Sequence, residues 1–410
     1  MSSDKLNIID LFSGCGGLSF GFEKTNRYET LAFLEIDKKC CETLTKNFRH
    51  IEKKIINEDI RQTDNVIGNS MHKAKKEIPT LNDLVDGQKV NLVIGGPPCQ
   101  AYSIAGRVRD KHGMKNDYRN YLFESYLKIV EHFRPEFFLF ENVQGMLSAR
   151  PGNLKITEIV KKEFLKIGYT IPSDLKMCLL DFSLFGLPQK RKRLIIMGLN
   201  ETSPLFSNYK SKDEIFKIFY DLVLPNYHRN PQNVMEVIND LPKFYPEKNC
   251  NNGVVYKSDL PFFSDHEPRN QNQRDVKIFK TLAEDIEKKE FKFVKTKDLI
   301  KLYEKEVGKK TKFHKYYVLR RDSVSNTIPA HLSVDGLRHI HYDSKQSRTI
   351  TVREAARLQG FPDNFSFAGN ISQKFRMIGN AVPPLFSKIL ANSLLDLISM
   401  LKSNEKYSLF

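Results

Sequence analysis

Asn7-Ile8-Ile9-Asp10-Leu11-Phe12-Ser13-Gly14-Cys15-Gly16-Gly17-Leu18-Ser19-Phe20-Gly21 reads as a strand, a glycine-rich turn and the start of a helix. The run Asn7–Phe12 is the first strand candidate. The glycines let the backbone turn sharply and pass close to a ligand. Their spacing departs from Gly-x-Gly-x-x-Gly, which weakens the case for a dinucleotide, and a tight turn without a ligand also accounts for them.

Working outward, further strands are expected at Leu31–Ile36, Lys54–Ile60, Val90–Ile94, Glu136–Phe140, Leu175–Leu180 and Leu194–Leu199. Helical stretches such as Tyr121–Phe133 and Ile156–Ile167 lie between several of them. This alternation predicts an α/β fold built on a mostly parallel sheet covered on both faces. After about residue 200 the alternation fades into a segment rich in Lys, Asn, Pro and Tyr, with basic residues crowding Lys288–Lys315. We read it as a second, smaller, irregular domain. Regular structure returns at Thr351-Val352-Arg353-Glu354, a capping box opening a helix through Leu358. A helical stripe then runs from Pro384 to Leu401 and needs an apolar partner, for which the flank of the first sheet is available. The chain is thus divided as 1–200, 201–375 and 376–410, the last segment returning to the first.

The chain has 410 residues, 65 of them basic and 49 acidic, for a net charge of +16. That excess suits a polyanion such as nucleic acid, although a lysine-rich background also produces it. The six cysteines form no CxxC pair, so no zinc site is expected. With no signal peptide and no stretch resembling a membrane span, a reducing cytoplasm and no membrane partner are expected.

Several residues carry candidate chemistry. Glu35, ending the second strand, can accept both hydroxyls of a ribose, and Asp59-Ile60, ending the third, can hold an adenine. Either acid alone reads equally as a solvated carboxylate. With the glycine turn they describe an adenosine-shaped site lacking a strong pyrophosphate cradle, which favours S-adenosylmethionine over NAD. Cys99 follows a strand in Ile94-Gly95-Gly96-Pro97-Pro98-Cys99-Gln100. The prolines stiffen the backbone that delivers its thiol. The loop Ala101–Asn120, with its glycines and basic residues, reads as a lid over a phosphate backbone. Glu141 follows the apolar Phe138-Leu139-Phe140, where partial burial raises a carboxyl pKa and suits it to donate a proton, although a structural acid capping the next turn also accounts for it. Gln189, Arg191 and Arg193 alternate along an extended segment and so share a face.

In this order the pieces resemble the bacterial-type DNA (cytosine-5-)-methyltransferase family. The resemblance covers residues 7–199 and about 345–390, through Asp10–Glu23, Gly95–Ser103, Glu141–Val143, Gln189–Arg193, Arg348–Phe365 and Ile378–Pro384. It implies a seven-stranded Rossmann-like S-adenosylmethionine-dependent methyltransferase sheet whose last strand is antiparallel, with the insert as target recognition domain. By position, Cys99 would be the nucleophile, Glu141 the acid at N3, and Arg191 and Arg193 the basic pair near the cytosine. Phe12, Gly14, Gly16, Gly17, Leu18, Glu35, Ile36, Asp59, Ile60, Pro97, Leu122, Asn380 and Val382 would hold S-adenosylmethionine, released as S-adenosylhomocysteine. Gln100, Ser103, Arg107, Arg109, Gln189 and Thr327 would contact DNA. The implied partner is double-stranded DNA, the implied state a monomer without metal in the cytoplasm and at the nucleoid, and a cognate restriction endonuclease acting independently is the default for the family. A tRNA cytosine-5 methyltransferase shares most of these motifs and is the alternative.

Overall fold

The computed structural model describes residues 5–48, 51–69, 78–97, 122–150, 155–209, 211–250, 253–261, 263–312 and 316–403. Two compact units form: Met1–Gly186 with Arg191–Asn230 and Ala381–Phe410, and Leu187–Lys190 with Pro231–Asn380. The expected breaks at 200/201 and 375/376 therefore differ from those of the compact units. The short segment Leu187–Lys190 belongs to the second unit because Lys190 N donates to Ser325 O (2.8 Å) and Ser325 N to Pro188 O (3.0 Å).

The first unit is built on β1 (Leu6–Leu11), β2 (Tyr28–Leu34), β3 (Ile55–Ile56), β4 (Leu92–Gly95), β5 (Phe137–Val143), β6 (Tyr169–Thr170), β7 (Leu179–Asp181) and β8 (Lys192–Asn200). The strands lie in the order β3-β2-β1-β4-β5-β8-β6, and β7 pairs with β8 off this path. β1 is parallel to β2 and β4, and β4 to β5, whereas β8 runs antiparallel to β5. The path thus has the expected seven strands and antiparallel member, and β7 adds a short eighth. Ile8, Ile9, Val93 and Ile94 are wholly buried. Each such side chain contributes about 1.5–3 kcal/mol on burial.

Helices α1 (Gly17–Glu23), α2 (Lys38–Asn47), α3 (Leu122–Phe133) and α4 (Ile156–Lys166) follow strands or turns of this sheet. The C-terminal helix Pro384–Ser403 buries Phe386, Ile389, Leu390, Leu394, Ile398 and Leu401, the predicted stripe. Its partner includes α1: a Cβ at Gly21 would fall 2.4 Å from Ser387 Cβ and 2.5 Å from Lys388 N, so only glycine permits this approach. By length and composition the run Ile371–Ser403 could cross a membrane, against the sequence expectation, but 61% of its apolar window is buried in the fold. The helix is apolar because it covers the core.

Two strand expectations shorten. Lys54–Ile60 yields only Ile55–Ile56, because the Asn57 amide donates to Glu35 O (2.8 Å) and Ile36 O (2.9 Å) and draws the chain out of the ladder. Asp59 and Ile60 therefore sit in a following turn. Leu175–Leu180 begins as turns, with Cys178 N donating to Leu175 O (3.2 Å), and becomes strand at Leu179.

The second unit carries more regular structure than its composition suggests. β9 (Phe244–Cys250) and β10 (Gly253–Ser258) form an antiparallel hairpin. Helices α5 (Gln273–Glu287) and α6 (Thr296–Val307) pack around Ile278, Phe279, Leu282, Leu299 and Leu302. Helix α7 (Val352–Leu358) has the predicted capping box, formed by Thr351 and Glu354.

Candidate active site

The turn after β1 places Phe12, Gly14 and Gly16 at φ 56°, 55° and 83°. Left-handed backbone is free for the glycines but strained for Phe12, a cost of order 1 kcal/mol or more. The turn is latched to the end of β2. Ser13 N donates to Leu34 O (3.2 Å), and Gly14 N donates to Glu35 Oε2 (2.7 Å). Glu35 Oε1 accepts from Asp37 N (2.8 Å). Burial pushes the Glu35 carboxyl upward, and the two backbone N–H groups pull it back. Each oxygen retains a lone pair for a further donor.

Around this latch, Ile36 is 62% exposed at the strand end, an apolar surface available to a flat ring. Phe12 is half-buried, while Leu18 and Val382 are buried. A Cβ at Gly17 would lie 2.4 Å from Val382 O, which fixes this packing. Pro97 and Leu122 are buried, and Asn380 is exposed at the end of the second unit. Two further residues expected in the pocket follow β3. Asp59 is already engaged by Arg61, whose Nε lies 2.8 Å from Oδ2 and holds the carboxyl below its usual range. Ile60 is buried at 5% exposure.

Beneath the turn, Asp10 is buried and accepts from Ser19 Oγ at 2.6 Å. Burial pushes its pKa up to about 8. Sequence alone does not reveal this, because an acid inside a strand looks the same whether protonated or ionised.

A second cluster forms at the ends of β4, β5 and β8. Glu141 lies on β5, and Arg193 stands across from Val143 on β8. The two side chains meet diagonally, Arg193 Nε lying 3.2 Å from Glu141 Oε1. Burial raises the Glu141 pKa, while Arg193 and Arg191 oppose the shift. Gly96 makes room for the carboxylate: a Cβ there would fall 2.7 Å from Glu141 Oε2. The signal for Gly96 was present in the doubled glycine before the prolines, but its partner was not. Arg191 is 1% exposed and donates to Ala381 O (3.1 Å), a buried cation that burial makes easier to deprotonate.

Gln189 does not present a surface, contrary to expectation. It is wholly buried, donating to Leu358 O (2.9 Å) and accepting from Ile328 N (3.0 Å). Burial of this segment makes its first residue an internal tie. Thr327 is half-buried, with its hydroxyl on Lys190 O. Cys99, Gln100, Ser103, Arg107 and Arg109, with the loop Ala101–Asn120, lie outside the described residues. The thiols of Cys15, Cys41 and Cys178 are pushed by burial up to about 12, which keeps them unreactive. Among the described residues no group of three or more His, Cys, Asp or Glu could hold a metal.

Set beside known proteins, residues 6–396 match the family model described as C-5 cytosine-specific DNA methylase. The chain is 33% identical to Type II methyltransferase M.Bpa9945I of Bacillus paralicheniformis, covering 96% of this chain and 99% of that one. It is 27% identical to Type II methyltransferase M1.HphI of Haemophilus parahaemolyticus, covering 96% and 87%. A prophage-encoded E. coli protein of known structure shares the fold, with a TM-score of 0.56 at 23% identity over 96% of this chain and all of that one.

Proposed function

The chain belongs to the C-5 cytosine-specific DNA methylase family and is a DNA (cytosine-5) methyltransferase; from that premise we propose that it acts through a covalent Cys99 adduct on a flipped-out cytosine, in a specific duplex sequence. The observation that carries this reading is the Glu141–Arg193 pair, housed against Gly96, three residues before Cys99.

Carbon 5 of cytosine is too weak a nucleophile to take a methyl group directly. Attack of the Cys99 thiolate on carbon 6 forms a sulfur–carbon bond and makes carbon 5 the nucleophilic end of an enamine. Negative charge moves onto the ring as this bond forms. Glu141, whose carboxyl burial pushes toward the protonated form, gives its proton to N3, and Arg193 donates to O2. Arg191 adds positive potential that favours the thiolate. S-adenosylmethionine, when bound, supplies the methyl group. The turn residues Phe12, Gly14, Gly16 and Gly17 with Glu35 and Ile36 fit an adenosine: a carboxylate with lone pairs in hand, an exposed apolar side chain and a close backbone. A water molecule then takes the proton from carbon 5, the electron pair re-forms the carbon 5–carbon 6 double bond and expels the Cys99 thiolate, and the N3 proton returns to Glu141. A base within a duplex is out of reach, so the cytosine must leave the stack.

The names of the curated relatives favour a restriction–modification role; within that role we propose that the enzyme acts as a monomer in the bacterial cytoplasm and protects DNA against an independent endonuclease.

Duplex DNA containing 5-fluorocytosine in the target sequence tests the mechanism. Fluorine cannot leave carbon 5 as a proton does, so a complex resistant to denaturant should accumulate at Cys99 and vanish in Cys99→Ser. Methyl transfer to duplex DNA without such a complex would overturn the covalent route. Transfer to tRNA in preference to duplex DNA would overturn the substrate.

A further inference from the structure

We propose that the turn joining α5 to α6 inserts Phe291 against the bases of the target duplex, with the surrounding lysines on the phosphates; this rests on the DNA-methyltransferase reading above. Phe291 is 50% exposed and Val294 55%, an apolar tip on an otherwise basic turn. From Lys288 to Lys297 there are five lysines against one glutamate. That glutamate, Glu290, lies 2.7 Å from Lys292 Nζ, and the remaining lysines are exposed.

The tip is held in place. Asp285, buried at the end of α5, accepts from Lys292 N (2.8 Å) and Phe293 N (3.1 Å). Phe293 packs on the core between α5 and α6. Lys289 and Phe291 both take left-handed backbone, φ 57° and 53°, which neither residue type favours. The Phe291 ring is half-exposed and is not among the side chains of that core. On its face lies the Arg320 guanidinium, 5.5 Å from the ring centroid.

An exposed aromatic with a cation on one face and a basic collar matches two demands of a nucleic acid at once. Apolar and aromatic side chains stack on or wedge between bases, and lysines around them neutralise the flanking phosphates. The positive collar argues against a second copy of this chain as the occupant, because the same charges would face one another.

The test compares the full-length enzyme with Phe291→Ala and with Lys289→Ala/Lys295→Ala. The probes are a duplex carrying the methylated sequence, mapped by bisulfite sequencing of wild-type activity, and a scrambled duplex of equal length. Phe291→Ala should weaken cognate binding about tenfold while binding of the scrambled duplex and of S-adenosylmethionine is unchanged. The double lysine variant should weaken both duplexes alike and lower the salt slope by about 2. Unchanged cognate affinity in Phe291→Ala overturns the proposal. So does a wild-type dimer that this variant dissolves while DNA affinity is retained. Because Phe291 is half-exposed, an unaltered melting temperature establishes that the variant is folded. A wild type that methylates no duplex would overturn the functional reading itself, a result distinct from either of these.

Discussion

Arg193 Nε lies 3.2 Å from Glu141 Oε1, across two antiparallel strands whose register pairs Arg193 with Val143 rather than with Glu141. The contact is diagonal, so it needs both the antiparallel direction of β8 and the length of the arginine. It couples the acid to the cation: whatever holds the Arg193 guanidinium also sets how readily Glu141 takes a proton.

Glu141→Gln keeps the shape of this pair and removes the transferable proton. We expect kcat to fall about 10²–10⁴-fold with little change in DNA affinity. In the wild type, the rate should fall as pH rises through the raised Glu141 pKa, because the protonated form is the donor. The glutamine variant should lose that alkaline limb. Steady-state rates across pH check both, and a variant of ordinary rate would remove Glu141 from the chemistry.

Gly96→Ala tests the space beside the acid. The new Cβ would sit 2.7 Å from Glu141 Oε2, so the carboxylate must move, which the end of a flexible side chain does at small cost. The expected result is a kcat reduced about 10-fold or more, as misplacement of catalytic groups produces, with a nearly unchanged melting temperature. A large loss of stability with normal turnover would mean that Gly96 serves folding alone.

In the second unit, Arg348 and Glu354 form a fully buried two-pronged pair, both contacts at 2.7 Å, and Glu354 also accepts from Thr351 N (2.8 Å). Glu354→Ala would strand a buried guanidinium and remove half of the capping box. Denaturant unfolding should show a loss of about 3–5 kcal/mol. Replacing both partners by apolar residues should cost less than the single change.

Asp10 gives a pH signature. Its folded pKa is raised to about 8 from 3.8, so between these values the folded chain binds a proton that the unfolded chain has released. Stability carried by that proton must fall as pH rises across the window. Asp10→Asn should flatten the fall and exceed the wild type by more than about 1 kcal/mol near pH 8. Unfolding measured at pH 5.5, 7 and 8.5 checks it; parallel curves for the two proteins would contradict the buried, protonated acid.

The local chemistry was legible in the chain. Gly14 and Gly16 announced a tight turn, Thr351 and Glu354 a helix start, and Phe386 through Leu401 a covered helix, because each is decided by residues a few positions apart. Glu141 at the end of an apolar run was legible for the same reason. The Asn57 amide, pulling the chain off β3 onto Glu35 and Ile36, was not, since turn and strand share the same apolar residues there.

By itself the sequence determined the strand–turn–helix units, the order of the motifs and the residue types available for chemistry. The tertiary structure decided which of them meet. It turned Gln189 inward onto Ile328 and Leu358, and brought Gly96 and Arg193 to Glu141. Most of these partners lie far apart along the chain, and hydrogen bonds and ion pairs reach only a few ångströms. Their choice therefore rests on strand order and register, which burial of the whole sheet sets and no local stretch encodes.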